Sequence, residues 1–255
     1  MLLVACSGGS SDGREIVIPR SAIDSLDNYA FTTDLDLSSA QGDLQADFTG
    51  VFQAPDRFQG TLHTAGMSLG RPAETELIII GEDVWWREPG GEWQRGITFG
   101  DEGREAVDPF YLFAYWATPP FYVQGLDFSS LRLTTSGDAK TINGARALPV
   151  VFDRPALMAI LDQGIFAEEA GKDPEIVRED TEAFLPEDIR IEAWLAEESL
   201  YPVRILITLS ADEDEEFSVY FEKPLQIRLQ LDITDPDAGI NIVPPDVSAR
   251  IAPTP

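Results

Sequence analysis

The sequence predicts an α+β fold that is mostly β, with a largely antiparallel sheet of about ten strands and three helical inserts. Apolar and polar residues alternate with a period of two in many short segments, which is typical of half-buried strands. The segments that connect them are short and polar, which favours antiparallel neighbours. Proline-led helix starts interrupt this pattern at residues 108–116, 155–169 and 173–184.

The strand segments follow one another along most of the chain. The clearest is the last, in which Leu225, Ile227 and Leu229 alternate with polar residues. The run Leu77–Ile80 is apolar throughout, which predicts a strand buried on both faces. We predict strands at 29–37, 43–53, 57–65, 74–81, 84–87, around Trp93, and at 142–152, 188–196, 201–211, 216–223 and 225–234.

The three helical inserts are rich in apolar residues. Asp108 is a good N-cap residue and Pro109 a good first helical residue, and the helix stops before Pro119-Pro120. The segment 110–116 is apolar on all sides, so we expect it to be buried on all sides. In the second insert, Leu157 and Leu161 lie one turn apart on one face.

Composition excludes several classes of function. The chain of 255 residues is long enough to bury a core, and its 18 Lys and Arg stand against 45 Asp and Glu, for a net charge of −27. Nucleic acid is therefore excluded as a partner, because its binding depends on Lys and Arg neutralising phosphates. With one Cys and one His, the chain can form neither an internal disulfide nor a Cys/His zinc site, and we expect no cofactor.

The N-terminus indicates a membrane anchor. Leu3-Val4-Ala5-Cys6 resembles a bacterial lipobox, in which the cysteine is diacylated after cleavage, and two acyl chains anchor a protein durably. We interpret 1–6 as the remnant of a signal peptide and 7–27, rich in Ser and Gly at its start, as a flexible tether. A single domain then covers 28–245, and 246–255 form an extended tail. The alternative is a chance hydrophobic start with a free cysteine.

Two motifs that suggest catalysis or metal binding are weak. Gly66-Met67-Ser68-Leu69-Gly70 matches the nucleophile elbow of hydrolases, but Arg71-Pro72 follows instead of a helix, and the only histidine, His63, precedes it at a polar position. We predict a glycine-rich hairpin loop and no enzyme. The acidic run at 212–216 predicts a solvated loop, with weak calcium binding as the alternative, and 235–239 lacks the glycine and glutamate of an EF-hand.

Several short motifs, in order, resemble the LolA-like superfamily and especially the LppX/LprG-type bacterial lipoproteins. An early hairpin, a segment with paired tryptophans, two paired strands and a Pro-Pro end carry this resemblance. They are Phe48-Thr49-Gly50-Val51-Phe52 with Pro55-Asp56-Arg57-Phe58, Ile80–Arg87 with Glu92-Trp93, Ile142–Arg146, Ile191–Leu195 with Leu200–Arg204, and Ile240–Pro245.

The resemblance implies an open antiparallel half-barrel whose helices pack on the concave face around an apolar cavity for acyl chains. It implies a monomeric, membrane-anchored lipoprotein of the bacterial cell envelope, extracytoplasmic, whose partners are lipid or lipoprotein acyl chains. The alternative is a non-enzymatic sensor or protein-interaction lipoprotein with a filled core. The expected modified residue is Cys6, and the expected groove lining is Phe48, Phe58, Leu62, Phe110, Phe113, Trp116, Leu157, Leu161, Ile191 and Ile207.

Overall fold

A computed structural model describes residues 15–19, 21–22, 26–66, 74–81, 83–95, 133–152, 154, 156, 188–212, 224–236 and 239–246. Strands dominate this part of the chain, as the alternating sequence predicts. They are β1 Glu15–Ile16, β2 Asn28–Ser39, β3 Gly42–Gln53, β4 Arg57–Gly66, β5 Glu74–Ile80, β6 Asp83–Arg87, β7 Gln94–Arg95, β8 Leu133–Thr135, β9 Lys140–Ile142, β10 Ala145–Phe152, β11 Asp188–Ala196, β12 Pro202–Ala211 and β13 Leu225–Asp235.

All thirteen strands belong to one antiparallel sheet. Its order is β1-β8-β10-β11-β12-β13-β2-β3-β4-β5-β6-β7, and β9 pairs with β10 beside this path. The first and last strands of the order do not pair with each other, so the sheet is open. The predicted open, antiparallel, mostly β fold is confirmed.

The three predicted helical inserts lie almost entirely outside the described residues, and so does the strand predicted at 216–223. Their packing on the sheet therefore stays a prediction. Within the described part of the chain, no helix is long and apolar enough to cross a bilayer.

The centre of the sheet is packed with aromatic rings on one face. Tyr29 and Phe52, on neighbouring strands, have ring centroids 4.9 Å apart, and Phe31 meets Phe48 edge-to-face at 5.4 Å. Beside them, Gly50 and Gly60 face each other across β3 and β4. A Cβ atom on Gly60 would clash with the backbone of β3, at the carbonyl oxygen of Thr49 and at Cα of Gly50, 2.7 Å away, and also with Cε2 of Phe48 at 2.9 Å. Glycine therefore allows the close approach of these two strands.

The N-terminal boundary of the domain differs from the prediction. Glu15–Ile16 pair with Leu133–Thr134 at the edge of the sheet, and Ile18 and Leu26 are buried in the main core. The flexible tether predicted over 7–27 therefore disagrees with the structure at residues 15–19, 21–22 and 26–27. The polar linker composition ends before Glu15, and the alternating apolar residues beyond it gain more by burial than by solvation.

The C-terminal segment packs on the opposite face of the sheet. Ile242 is fully buried in a small cluster with Ile78 and Trp85. Its backbone N–H donates to Oε1 of Gln53 at 2.9 Å, and its carbonyl accepts from Arg57 at 2.8 Å. The chain thus packs against the sheet to this point.

Candidate functional site

One face of the sheet is continuously apolar. Strand register brings Ile191 opposite Ile207, and Ile207 opposite Leu229, and the same alignment continues through β2, β3 and β4. Across β12, β13, β2, β3 and β4, the side chains that alternate toward this face include no charged residue. We call it the apolar face; most of its side chains belong to the main hydrophobic core.

Parts of the apolar face are incompletely covered, and the largest contiguous part lies on β11, β12 and β13. Most of its large side chains are buried, but a contiguous group on β11, β12 and β13 is only partly buried. The register aligns Ile189 with Leu209 and Leu209 with Ile227, in the row next to the Ile191–Ile207 pair. We call Ile189, Ile191, Ile207, Leu209 and Ile227 the partly covered patch. Aliphatic area left in contact with water is the physical requirement for capturing an apolar ligand.

The structure places five of the predicted groove residues on the apolar face. Phe48 and Leu62 face each other across β3 and β4, and Phe58 is opposite Phe52 in the same hairpin. All three are buried in the main core, whereas Ile191 and Ile207 belong to the partly covered patch. That these five residues line a lipid groove stays a prediction. The other predicted residues, Cys6, Phe110, Phe113, Trp116, Leu157 and Leu161, lie outside the described residues.

The opposite, polar face holds a partly buried ion pair. Asp232 is 6% exposed and accepts two hydrogen bonds from the guanidinium of Arg204, at 2.7 and 3.0 Å. Gln230 donates to it at 2.7 Å, and Asn143 donates at 2.9 Å. Burial opposes ionisation of Asp232, but the hydrogen bonds from Arg204, Asn143 and Gln230 outweigh it and lower the pKa of this carboxyl.

This ion pair and Asn143 connect the turn between β9 and β10 to strands β12 and β13. The amide of Asn143 also donates to the carbonyls of Val203 and Ile233, at 3.0 and 3.2 Å. Asn143 lies in the turn between β9 and β10 at φ 49°, a left-handed conformation that asparagine tolerates better than most residues. The carboxylate and the amide have their partners within the protein, so the cluster fixes this turn to the sheet and leaves no group for a ligand.

A groove of about 460 Å³ lies at the end of β2, β3, β12 and β13. It is lined mainly by residues that alternate toward the polar face, so it is not the predicted apolar groove. Several of these groups satisfy one another: Gln45 donates to Asp36, and Ser38 to Asp43. Its lining is Asp36, Leu37, Ser38, Asp43, Leu44, Gln45, Asp188, Thr208, Leu209, Ser210, Gln226, Ile227 and Arg228.

The residues considered for hydrolysis and metal binding lie partly within the described chain. His63 lies on the polar face with its Nδ1 atom 3.7 Å from Glu74, and both side chains are about half exposed. Among these residues, no group of three or more Cys, His, Asp and Glu side chains is placed to hold a metal ion. Gly66 ends β4, while the rest of the G-x-S-x-G motif and all of the 212–216 acidic run except Asp212 lie outside this part of the chain.

Sequence reasoning missed one polar group on the apolar face. Tyr29 is fully buried, and its hydroxyl has no hydrogen-bond partner among the described residues. From the sequence, Tyr29 is assigned to the apolar face of β2 like its neighbours. Alternation predicts the face on which a side chain lies, but not the hydrogen-bond partners of its hydroxyl.

No protein-family model matches the sequence, and no curated protein matches it. Solved structures similar to this chain include LprF from Mycobacterium bovis, at 12% identity and a TM-score of 0.39, over 90% of this chain and 99% of that chain. A putative outer membrane lipoprotein-sorting protein domain from Vibrio parahaemolyticus is 11% identical over 87% of this chain and 92% of its own, with a TM-score of 0.26. The MucA/MucB complex of Pseudomonas aeruginosa contains a chain that is 10% identical over 84% of this chain and 53% of its own, with a TM-score of 0.28.

These neighbours include the kinds of protein that the sequence resembles, an LppX/LprG-type lipoprotein and a lipoprotein-sorting domain. Every identity is below 25% and every TM-score below 0.5. The likeness therefore carries no argument about ligand or role, and both rest on the residues of this chain.

Proposed function

We propose that this protein is a membrane-anchored lipoprotein of the bacterial cell envelope that binds acyl chains against the apolar face of its sheet. The observation that carries the proposal is the partly covered patch, which continues directly into the buried apolar face. An acyl chain laid there gains roughly 0.8 kcal/mol for each CH₂ group it buries. Capture of the chain involves no catalytic step.

The distribution of charge supports an apolar ligand. The carboxylates of the central strands, such as Asp34, Asp36 and Asp47, alternate toward the polar face. A ligand on the apolar face therefore meets hydrocarbon, while the net charge of −27 carried by the whole chain favours solubility. The lipobox-like Leu3-Val4-Ala5-Cys6 supports an extracytoplasmic location and a lipid anchor.

The ligand part of the proposal is tested by placing one charge on either face of β12. Ile207 belongs to the partly covered patch, and its neighbour Thr208 alternates to the polar face opposite Arg190 and Arg228. We expect Ile207→Glu to abolish transfer of a fluorescent diacyl lipid between vesicles. An acyl chain bound at the patch would bury the new carboxylate, and removing that charge from water costs more free energy than the chain gains. Thr208→Glu adds the same charge beside two arginines and should transfer lipid at the wild-type rate.

Equal transfer by Ile207→Glu and Thr208→Glu would reject acyl binding at the patch. Absence of binding and transfer by the wild-type protein would reject the carrier function and favour the sensor or protein-interaction lipoprotein with a filled core. The anchor is tested separately, by metabolic labelling with an alkyne fatty acid. Label that persists in a Cys6→Ser form of the full-length protein would reject lipidation at Cys6.

A further inference from the structure

The Tyr29 hydroxyl is an unusual feature of the apolar face. The residue is completely buried between Phe31 and Phe52, whose ring centroids lie 6.2 and 4.9 Å from its own. No described residue accepts a hydrogen bond from the hydroxyl or donates one to it. A buried hydroxyl without a partner costs free energy, and native proteins almost always supply one.

The environment keeps this group a neutral donor. Burial raises the pKa of the Tyr29 phenol well above its ordinary value, so the O–H retains its proton throughout the physiological range. The group is therefore suited to donating a hydrogen bond to an uncharged acceptor.

We propose that Tyr29 donates a hydrogen bond to the ester carbonyl of a bound diacyl lipid, and so makes the protein prefer ester-linked over ether-linked lipids. This inference rests on the proposed function, because it requires an acyl ligand on the apolar face. An acyl chain itself offers no hydrogen-bond acceptor. The ester carbonyl lies where the chain begins, next to hydrocarbon, and can enter an apolar interior at a lower cost than a charged head group.

The length of the face is compatible with this placement. Tyr29 and Leu37 are eight residues apart on β2, which corresponds to about 26 Å at about 3.3 Å per residue. Leu37 is in the same row as Ile227 of the partly covered patch. One leaflet of a bilayer holds its chains within about 15 Å, half of the hydrocarbon thickness. A chain that starts at Tyr29 therefore fits within the length of β2, and it can lie there only when the core side chains that bury Tyr29 and Leu37 separate from this strand.

The experiment compares two lipids that differ only in the linkage. Dipalmitoyl phosphatidylcholine and its dihexadecyl ether analogue each displace a fluorescent fatty-acyl probe from the full-length protein. We expect the wild type to bind the ester about tenfold more tightly, which corresponds to about 1.4 kcal/mol. Tyr29→Phe, which removes only the hydroxyl, should bind the two lipids equally. Tyr201→Phe removes a hydroxyl from a partly buried tyrosine before β12 and should keep the preference.

Each outcome separates this inference from the proposed function. If the wild type binds both lipids equally, or if Tyr29→Phe keeps the preference, the role of Tyr29 is rejected while acyl binding stands. If the wild type binds neither lipid and does not bind the probe, the proposed function fails and the inference fails with it. The wild-type comparison needs no variant, so the proposal stays testable even if Tyr29→Phe unfolds.

Discussion

The partly buried ion pair of Arg204 and Asp232 on the polar face gives the sharpest stability prediction. Asp232→Asn keeps the shape of the side chain but removes the charge that faces Arg204, whose guanidinium then has no anionic partner at this position. Removing one member of a buried pair costs about 3–5 kcal/mol. The side chain of Arg204 is 29% exposed, so water recovers part of that loss, and we expect destabilisation of about 2–3 kcal/mol at pH 7.

The destabilisation caused by Asp232→Asn should become smaller at low pH. Because the pKa of Asp232 is lowered in the folded protein, the ionised carboxyl stabilises the fold above its unfolded pKa of about 3.9. This contribution is lost as the pH falls through the folded pKa. The difference in unfolding free energy between wild type and Asp232→Asn should therefore shrink as the pH falls below about 4.

Urea unfolding at pH 7 and at pH 2.5 measures the destabilisation and its decrease at low pH. The matched control is Asp36→Asn, since Asp36 faces Arg228 on the same sheet face at 3.7 Å, with both side chains about half exposed. An exposed pair of this kind contributes about 0–1 kcal/mol. A loss below 1 kcal/mol for Asp232→Asn, or a loss equal at both pH values, would refute the assignment of the pair as a structural link.

Three further predictions concern packing and charge. Gly60→Ala should lower the melting temperature, with a loss of at least about 1 kcal/mol, because the new methyl group would clash with the backbone of Thr49 and Gly50 on β3 as well as with the Phe48 ring. An unchanged melting temperature would contradict this close approach of β3 and β4. Asp34→Asn should raise the melting temperature at pH 7 and leave it unchanged at pH 2.5. Burial, followed by the charges of Asp232 and Asp47, raises the pKa of Asp34 in the folded protein, so ionisation of this carboxyl destabilises the fold as the pH rises. A lower melting temperature for Asp34→Asn at pH 7 would contradict this. Added NaCl should raise the melting temperature of the wild type, because a net charge of −27 repels itself at low salt; a flat response between low and moderate salt would contradict that.

Alternation located the long strands but not the short ones. The predicted segment 225–234 differs from β13 by one residue, because each apolar residue there meets another across the sheet and the pattern directly reflects burial. Strands β1, β8 and β9 contain two or three residues each, which is too few for a period to be visible. Their pairing is decided by the neighbouring strands.

The sequence predicts which residues share the apolar face, but not which of them are left partly exposed. The sequence assigned Phe48, Leu62 and Ile207 to one face, and the register agrees. It could not show that Ile207 is partly covered while Phe48 is buried, since coverage depends on segments remote in sequence. The Asn143–Asp232 hydrogen bond spans 89 residues, and no local pattern signals such a contact.

The central claim is that the apolar face holds an acyl ligand. Native mass spectrometry of the full-length protein, gently purified from a bacterial envelope, tests it most directly, with Ile207→Glu prepared in parallel. We predict a species heavier than the polypeptide and its anchor by the mass of a diacyl lipid, which collisional activation releases from the wild type and which Ile207→Glu lacks. A wild-type protein that carries no lipid, and takes up none when incubated with vesicles, would contradict the account.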